Sequence, residues 1–356
     1  MDEIESVQRL SKDLRAAAKL LSDGEARYAV DLYYTTQINR MRANSQIKAA
    51  QVDGEPNLML QWIADNFTIT EAGCKSALDT YAKHKRVGRW LLSIHGIGPV
   101  IAAGMLAHID IAKAPTVGHI WRFAGLDPTV RWIGAKGAKE IVKRVTGKEK
   151  LTEELVAACV AETTFREDRI LSWSRTKKGV LNRDLLTKAL AKRPWNAALR
   201  VLCWKAGGSF VIARASENDV YGKLYEQRKA YEWRRNTDGE LADQAAATLR
   251  AKNYGKATDA YSWYSGQRTA ADALIELAKP KPEFAKMSTV PEGEGDPMLP
   301  PAQIDARARR WTVKLFLAHL HHVMYEDRFG KPPPKPYVLE HLGHAHVIEA
   351  QGWPCE

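Results

Sequence analysis

The stretch "LLSIHGIGPVIAAGMLAHI", residues 91–109, sets two glycines one residue apart, followed by a proline, between two apolar segments. Glycine accepts backbone angles that other residues resist, and proline suits the first position of a helix. A helix restarting at Pro99 turns its first amides outward, where the helix dipole favours an anion. The chemistry on offer is recognition of a phosphate by main-chain groups of Gly96, Ile97, Gly98, Pro99 and Val100, with Ile97 plugged into the core. A dinucleotide fingerprint does not fit: its third glycine falls on Ile101, and the preceding pattern is helical. A helix C-cap glycine followed by an N1 proline is the plain structural reading. A helix–hairpin–helix contains that reading, with Leu92 and Ile94 before the corner and small Ala102, Ala103 and Gly104 after it.

Charge agrees with a phosphate partner. Lys and Arg total 53 against 42 Asp and Glu, a net +11. From Arg131 to Lys150 seven basic residues face two acidic ones, and from Thr164 to Arg193 nine face three. The expected DNA-binding cations are Arg131, Lys136, Lys139, Lys143, Arg144, Arg175, Lys177, Lys178, Lys192 and Arg193. Trp132 and Trp173 lie inside these stretches, where an indole can stack on an unpaired base.

Nucleophile and metal chemistry are thinner. Ser172, Ser174, Ser209 and Ser265 are the serines near or after the basic stretches, and "REDRILSWSRTKKG" surrounds the first two with cations. Histidines gather near the end, as His319, His321 and His322, then His341, His344 and His346 with Cys355 following. Neither group has a finger spacing, so no metal is expected. Cys74, Cys159, Cys203 and Cys355 are unpaired in spacing, which fits a reducing cytoplasm and, for a DNA-bound protein, the nucleoid. No apolar run reaches the ~18 residues of a membrane span.

The elements that must position these groups read as mostly α. Residues 1–22 and 24–51 carry helical periodicity, "VDGEPN" breaks it, and a capping-box pattern at Thr68 and Glu71 starts a further helix running into the corner. The expected organisation is a helical hairpin or coiled-coil arm over 1–90 and a helix–hairpin–helix core over 91–215. A helical extension follows over 216–278, then a Pro/Gly-rich linker over 279–302, and a C-terminal helix with a His-rich tail over 303–356. The arm is a natural surface for homo-oligomer formation.

The corner, then "IWRFAGLDP", then "AKRPWNAALRVLCWKAG" reproduce an order of landmarks. In that order the chain resembles the C-terminal half of the IS110 family of insertion-sequence transposases. The resemblance covers residues 28–215, including an upstream coiled-coil arm from "QINRMRANSQIKAA" to "KRVGRWLL". It implies DNA strand cleavage and rejoining by a serine nucleophile, carboxylate-bound Mg²⁺ on a separate RuvC-like domain, and an RNA guide or catalytic partner protein. The chain departs from the pattern at three places. Residues 1–27 are expected to be too few for the RuvC-like half. Ile133-Gly134 stands where the family shows Ser-Gly, and Leu190-Ala191-Lys192 stands for Ile-Ser-Lys. A long intervening segment also separates those two places. The expectation is a mobile-element DNA-binding protein in transposition or recombination. The alternative is an active recombinase with a displaced nucleophile, needing Mg²⁺.

Overall fold

A computed structural model describes residues 12–54, 58–278, 290–334 and 349–354. These residues form helices and no strand, as expected. In chain order they are α1 Lys12–Ala17, α2 Asp23–Asp53, α3 Leu58–His84, α4 Arg86–Ser93, α5 Pro99–His108, α6 Val117–Phe123, α7 Gly134–Thr146 and α8 Glu153–Ala161. Then follow α9 Glu167–Trp173, α10 Arg183–Leu190, α11 Ala197–Ala213, α12 Val220–Thr237, α13 Ala242–Ala251, α14 Asp259–Tyr264, α15 Ala270–Leu277 and α16 Pro301–Phe329. One isolated antiparallel bridge joins Arg175 to Leu181. The chain divides into two compact units, one of residues 1–92, 98–203 and 317–356, the other of 93–97 and 204–316.

In the first unit α2 and α3 pair along their length in antiparallel order. Ser22 and Glu25 cap the start of α2 reciprocally. Tyr81 donates to Asp23 at 2.8 Å near one end, and Arg40 holds Glu71 at 2.6 Å further along. The expected capping box at Thr68 does not form. Thr68 lies in the middle of an unbroken α3, its hydroxyl donating to the Ala64 carbonyl at 2.9 Å, while Glu71 is taken by Arg40. Apolar burial across the hairpin outweighs a local capping preference.

Helix α5 packs under this arm with nearly every residue buried. Its small side chains also let α11 come close: a Cβ on Gly104 would stand 2.6 Å from Leu202 of α11. At the joint between α3 and α4 a Cβ on Gly88 would come within 2.0 Å of the Ala82 carbonyl oxygen. No side chain fits there.

The second unit has its own core of Trp233, Leu241, Ala245, Trp263, Tyr264, Ala273, Met298, Leu299 and Ile304. Asn236 brackets Leu299, accepting from its amide at 2.9 Å and donating to its carbonyl at 3.0 Å. Residues 290–300 of the stretch expected to be a linker are thus partly core, because Met298 and Leu299 bury what the surrounding prolines and glycines expose.

Candidate nucleic-acid interface

Residues 133–191 form a folded module. Helices α7, α8, α9 and α10 bury Ala138, Val142, Val156, Cys159, Val160, Ile170, Leu186, Ala189 and Leu190 against one another. Thr152 caps α8 at Leu155 and Asn182 caps α10 at Leu185. Arg183 donates to the Gly147 and Glu149 carbonyls at 3.0 and 2.6 Å, closing the turn after α7. The two ends of the module meet, the Trp132 indole N–H donating to the Ala191 carbonyl at 2.9 Å. Ile133 and Ala191 are therefore brought to the same end of the module.

The landmarks on either side also meet. Gly125, in the Ala-Gly-Leu-x-Pro turn, has φ +69° and lies against Trp195, to which a Cβ would come within 2.7 Å. Arg200 of α11 donates to the Gly125 carbonyl at 3.0 Å, with its guanidinium 4.4 Å from the Trp195 ring centre. Asn196 donates its amide to Phe123 at 2.8 Å. The recurrent turn and the Leu-Arg helix are two halves of one packing contact.

Helix α7 carries the clearest charged face. Ala138, Ile141, Val142 and Val145 turn into the module, and Lys136, Lys139 and Lys143 are exposed at helical spacing on the opposite side. They span about 10 Å along the axis at 1.5 Å per residue. Lys177 and Lys178 are exposed at the tip of a turn in which Gly179, φ +79°, donates to Thr176 at 2.8 Å. No ion pair to these five lysines occurs among the described residues.

Other expected cations are engaged. Arg144 pairs with Glu162, and Arg175 with Glu153 and the Gly179 carbonyl. Lys192 sits 3.8 Å from the Trp173 ring centre and Arg193 sits 5.0 Å from that of Trp132. Arg131 is exposed. With Glu153, Glu154 and Glu162 included, residues 131–193 hold sixteen basic and eight acidic side chains, a net +8. Trp173 is partly buried against the module core, with Arg169 and Lys192 over its ring. Trp132 stays about half exposed.

The glycine corner is half as expected. Gly96 has φ +91°, and its carbonyl accepts from the Ser209 hydroxyl. Ile97 is buried, and its amide donates to Ile94 at 3.0 Å, which removes it from a phosphate cradle. Gly98 is extended, φ −90° and ψ 174°, a conformation open to any residue, and a Cβ there would meet nothing within 4 Å. It serves as N-cap of α5 without a side-chain cap. Gly96 and Ile97 group with the second unit and Gly98, Pro99 and Val100 with the first. Gly98→Ala is expected to lower the unfolding free energy from a urea titration by no more than about 1 kcal/mol, the cost of alanine at an N-cap. Gly96→Ala, forced into a left-handed backbone, is expected to lose about 1–2 kcal/mol in the same titration.

The serines are mostly accounted for. Ser174 is buried and donates to Ile170 at 2.7 Å, Ser209 is held by Gly96, Ser265 is buried in the second unit, and Ser172 is exposed. Among the described residues no three His, Cys, Asp or Glu side chains gather to hold a metal ion. The described residues do not supply the acidic Mg²⁺ site that the resemblance places on a separate domain. His341, His344, His346 and Cys355 lie outside the described residues.

On α16, His322 approaches Glu326 at 3.6 Å, while His319 and His321 are buried. His321 donates Nε2–H to the Ala114 carbonyl at 2.9 Å. Burial pushes its pKa below the ordinary value, and burial with Arg27 nearby does the same for His108. A lowered folded-state pKa means that the unfolded chain binds protons first as pH falls. Stability is therefore full above the unfolded value near 6.5 and is lost on acidification through the lower folded value. Urea midpoints should fall between pH 7.5 and 5.5, and His321→Asn should flatten part of that fall.

The arrangement defines an all-α protein with a basic helical module set into a tightly packed hairpin core. Residues 88–168, from α4 through the corner into α9, match the model described as the Transposase IS116/IS110/IS902 family, as the landmarks suggested. No curated protein and no solved structure matches the chain. No helix among the described residues is long and apolar enough to cross a membrane.

Proposed function

We propose that this chain is a DNA-binding protein of a mobile element, acting in transposition or recombination, and that the α7–α10 module is its grip on duplex backbone. The observation that carries the reading is the α7 face, where Lys136, Lys139 and Lys143 stand exposed beside Glu140, with no ion pair to the lysines among the described residues, opposite a buried apolar stripe. Lysines at helical spacing suit phosphates, which position a protein on DNA without reading sequence. Lys177 and Lys178 on their turn extend the same chemistry, as do the uncapped first-turn amides of α5 after Gly98 and Pro99. Arg144 and Arg175 contribute less, since each gives up an exposed ion pair to reach a phosphate.

Tyr28, Ile38, Met41 and Val52 on the exposed side of α2 support self-association through the arm.

The test is fluorescence anisotropy of the full chain with duplexes of unrelated sequence at increasing KCl. The reading expects similar affinity for each sequence and a steep loss with salt, because each neutralised phosphate releases counterions. Binding that ignores salt would remove it.

A further inference from the structure

A second aromatic and cationic surface lies on α12, outside the segment that matches the transposase family. Tyr231 is 40% exposed there. The guanidinium carbons of Arg228, Arg234 and Arg235 lie 4.7, 5.5 and 5.7 Å from its ring centre, and that of Arg228 also lies 5.3 Å from the Trp311 ring of α16. From Lys223 to Arg235 the helix holds five basic residues against Glu226 and Glu232.

Two of these arginines are fixed in place rather than left to swing. Glu232 is almost fully buried and takes Arg228 at 2.5 Å, Arg307 at 2.7 Å and Arg235 at 3.5 Å. Three guanidinium groups converging on one buried carboxylate leave excess positive charge around the ring. The Nε of Arg228 is itself buried with no hydrogen-bond partner among the described residues. Arg235 is held from its other side by Glu240 at 2.5 Å. Arg234 is exposed and has no ion pair among the described residues.

An exposed tyrosine within reach of pinned guanidinium groups suits an unpaired nucleobase. The exposed part of the ring offers a surface for stacking, and the arginines over it supply charge for the phosphates on either side. A base pair inside a duplex has both faces covered by its neighbours and cannot use the ring. We infer that the Tyr231–Arg228–Arg234–Arg235 surface binds single-stranded nucleic acid by stacking an unpaired base on Tyr231. The site is separate from the duplex grip proposed for α7, and neither requires the other.

The experiment uses the full chain and three fluorescent probes: a 20-nucleotide oligo-dT, an oligo-U of the same length, and a 20-base-pair duplex. Variants are Tyr231→Leu, which keeps bulk but removes the aromatic face, and Tyr231→Phe, which keeps it. Both are exposed substitutions, and circular dichroism melts verify that they fold. Stacking of one base predicts a loss of about ten-fold in single-strand affinity for Tyr231→Leu, near wild-type affinity for Tyr231→Phe, and duplex affinity changed less than two-fold. Preference for oligo-U over oligo-dT, or the reverse, identifies which strand chemistry the surface serves. Repeating the single-strand titrations with Lys136, Lys139 and Lys143 reversed to glutamate keeps the two sites apart. The Tyr231→Leu loss must persist in that background. Unchanged affinity of Tyr231→Leu for both single strands overturns the inference. So does an equal loss for Tyr231→Phe, or competition by poly-glutamate as effective as by oligonucleotide.

Discussion

Replacing Lys136, Lys139 and Lys143 together with glutamate is expected to lower duplex affinity on the order of 100-fold near 0.15 M salt. Three phosphate contacts carry a logarithmic salt slope of roughly 2.7, which over the interval from 1 M to 0.15 M corresponds to about two decades. The slope itself should fall by about the same 2.7 units. Folding is not at risk on the same scale. The three side chains point away from the module core, and glutamate matches lysine closely in helix propensity. Glutamate at 143, in the last turn of α7, opposes the helix dipole by ~0.3–1 kcal/mol, so a melt accompanies the binding curve. Substituting Arg144 and Arg175 with glutamine serves as the comparison. Those side chains already answer Glu162 and Glu153, and their loss should cost less than about three-fold. Equal losses from the two sets would mean that general charge, not the α7 face, drives binding.

The second large effect is structural. Gly125→Ala is expected to destabilise the first unit by about 2–4 kcal/mol. A left-handed backbone costs an L-residue about 1–2 kcal/mol, and pushing a methyl against the Trp195 ring adds overpacking of similar size. The same methyl would stand 2.9 Å from the Arg200 guanidinium, which now bonds to the Gly125 carbonyl. A loss of this size is a large share of the 5–15 kcal/mol that holds a domain folded. Urea unfolding followed by tryptophan fluorescence measures it. A midpoint unchanged from wild type would show that the turn and the Leu-Arg helix do not depend on each other.

These two effects mark what the sequence makes legible and what it hides. Lysines at 136, 139 and 143 are three and four residues apart, and that spacing alone announces one helical face. The all-α class, the antiparallel arm and the small-residue packing of α5 follow equally from local pattern. What escapes is everything set by distant partners. Trp132 and Ala191 are 59 residues apart, and only their hydrogen bond shows that the intervening chain closes on itself as a module. Gly88 gives no signal inside a helical pattern, because its constraint is a single carbonyl at Ala82. Thr68 and Glu71 have the spacing of a cap, yet cross-arm pairing of Glu71 with Arg40 carries the helix straight through them. The corner shows both sides at once. Gly96 and Gly98 look alike in sequence, but only Gly96 has a backbone that needs glycine. The arginines around Tyr231 were equally hidden, since the residue that pins them, Glu232, also draws Arg307 from α16.

The module itself offers the most direct measurement. Its ends are joined by the Trp132 to Ala191 hydrogen bond, so residues 134–190 can be replaced by a short glycine–serine bridge in the full chain. The predicted result is a remainder that keeps its helical circular dichroism and cooperative melt but binds duplex DNA at least ~30-fold more weakly, with residues 131–193 alone recovering salt-dependent binding. A shortened chain that folds and holds duplex as tightly as the intact protein would contradict the account.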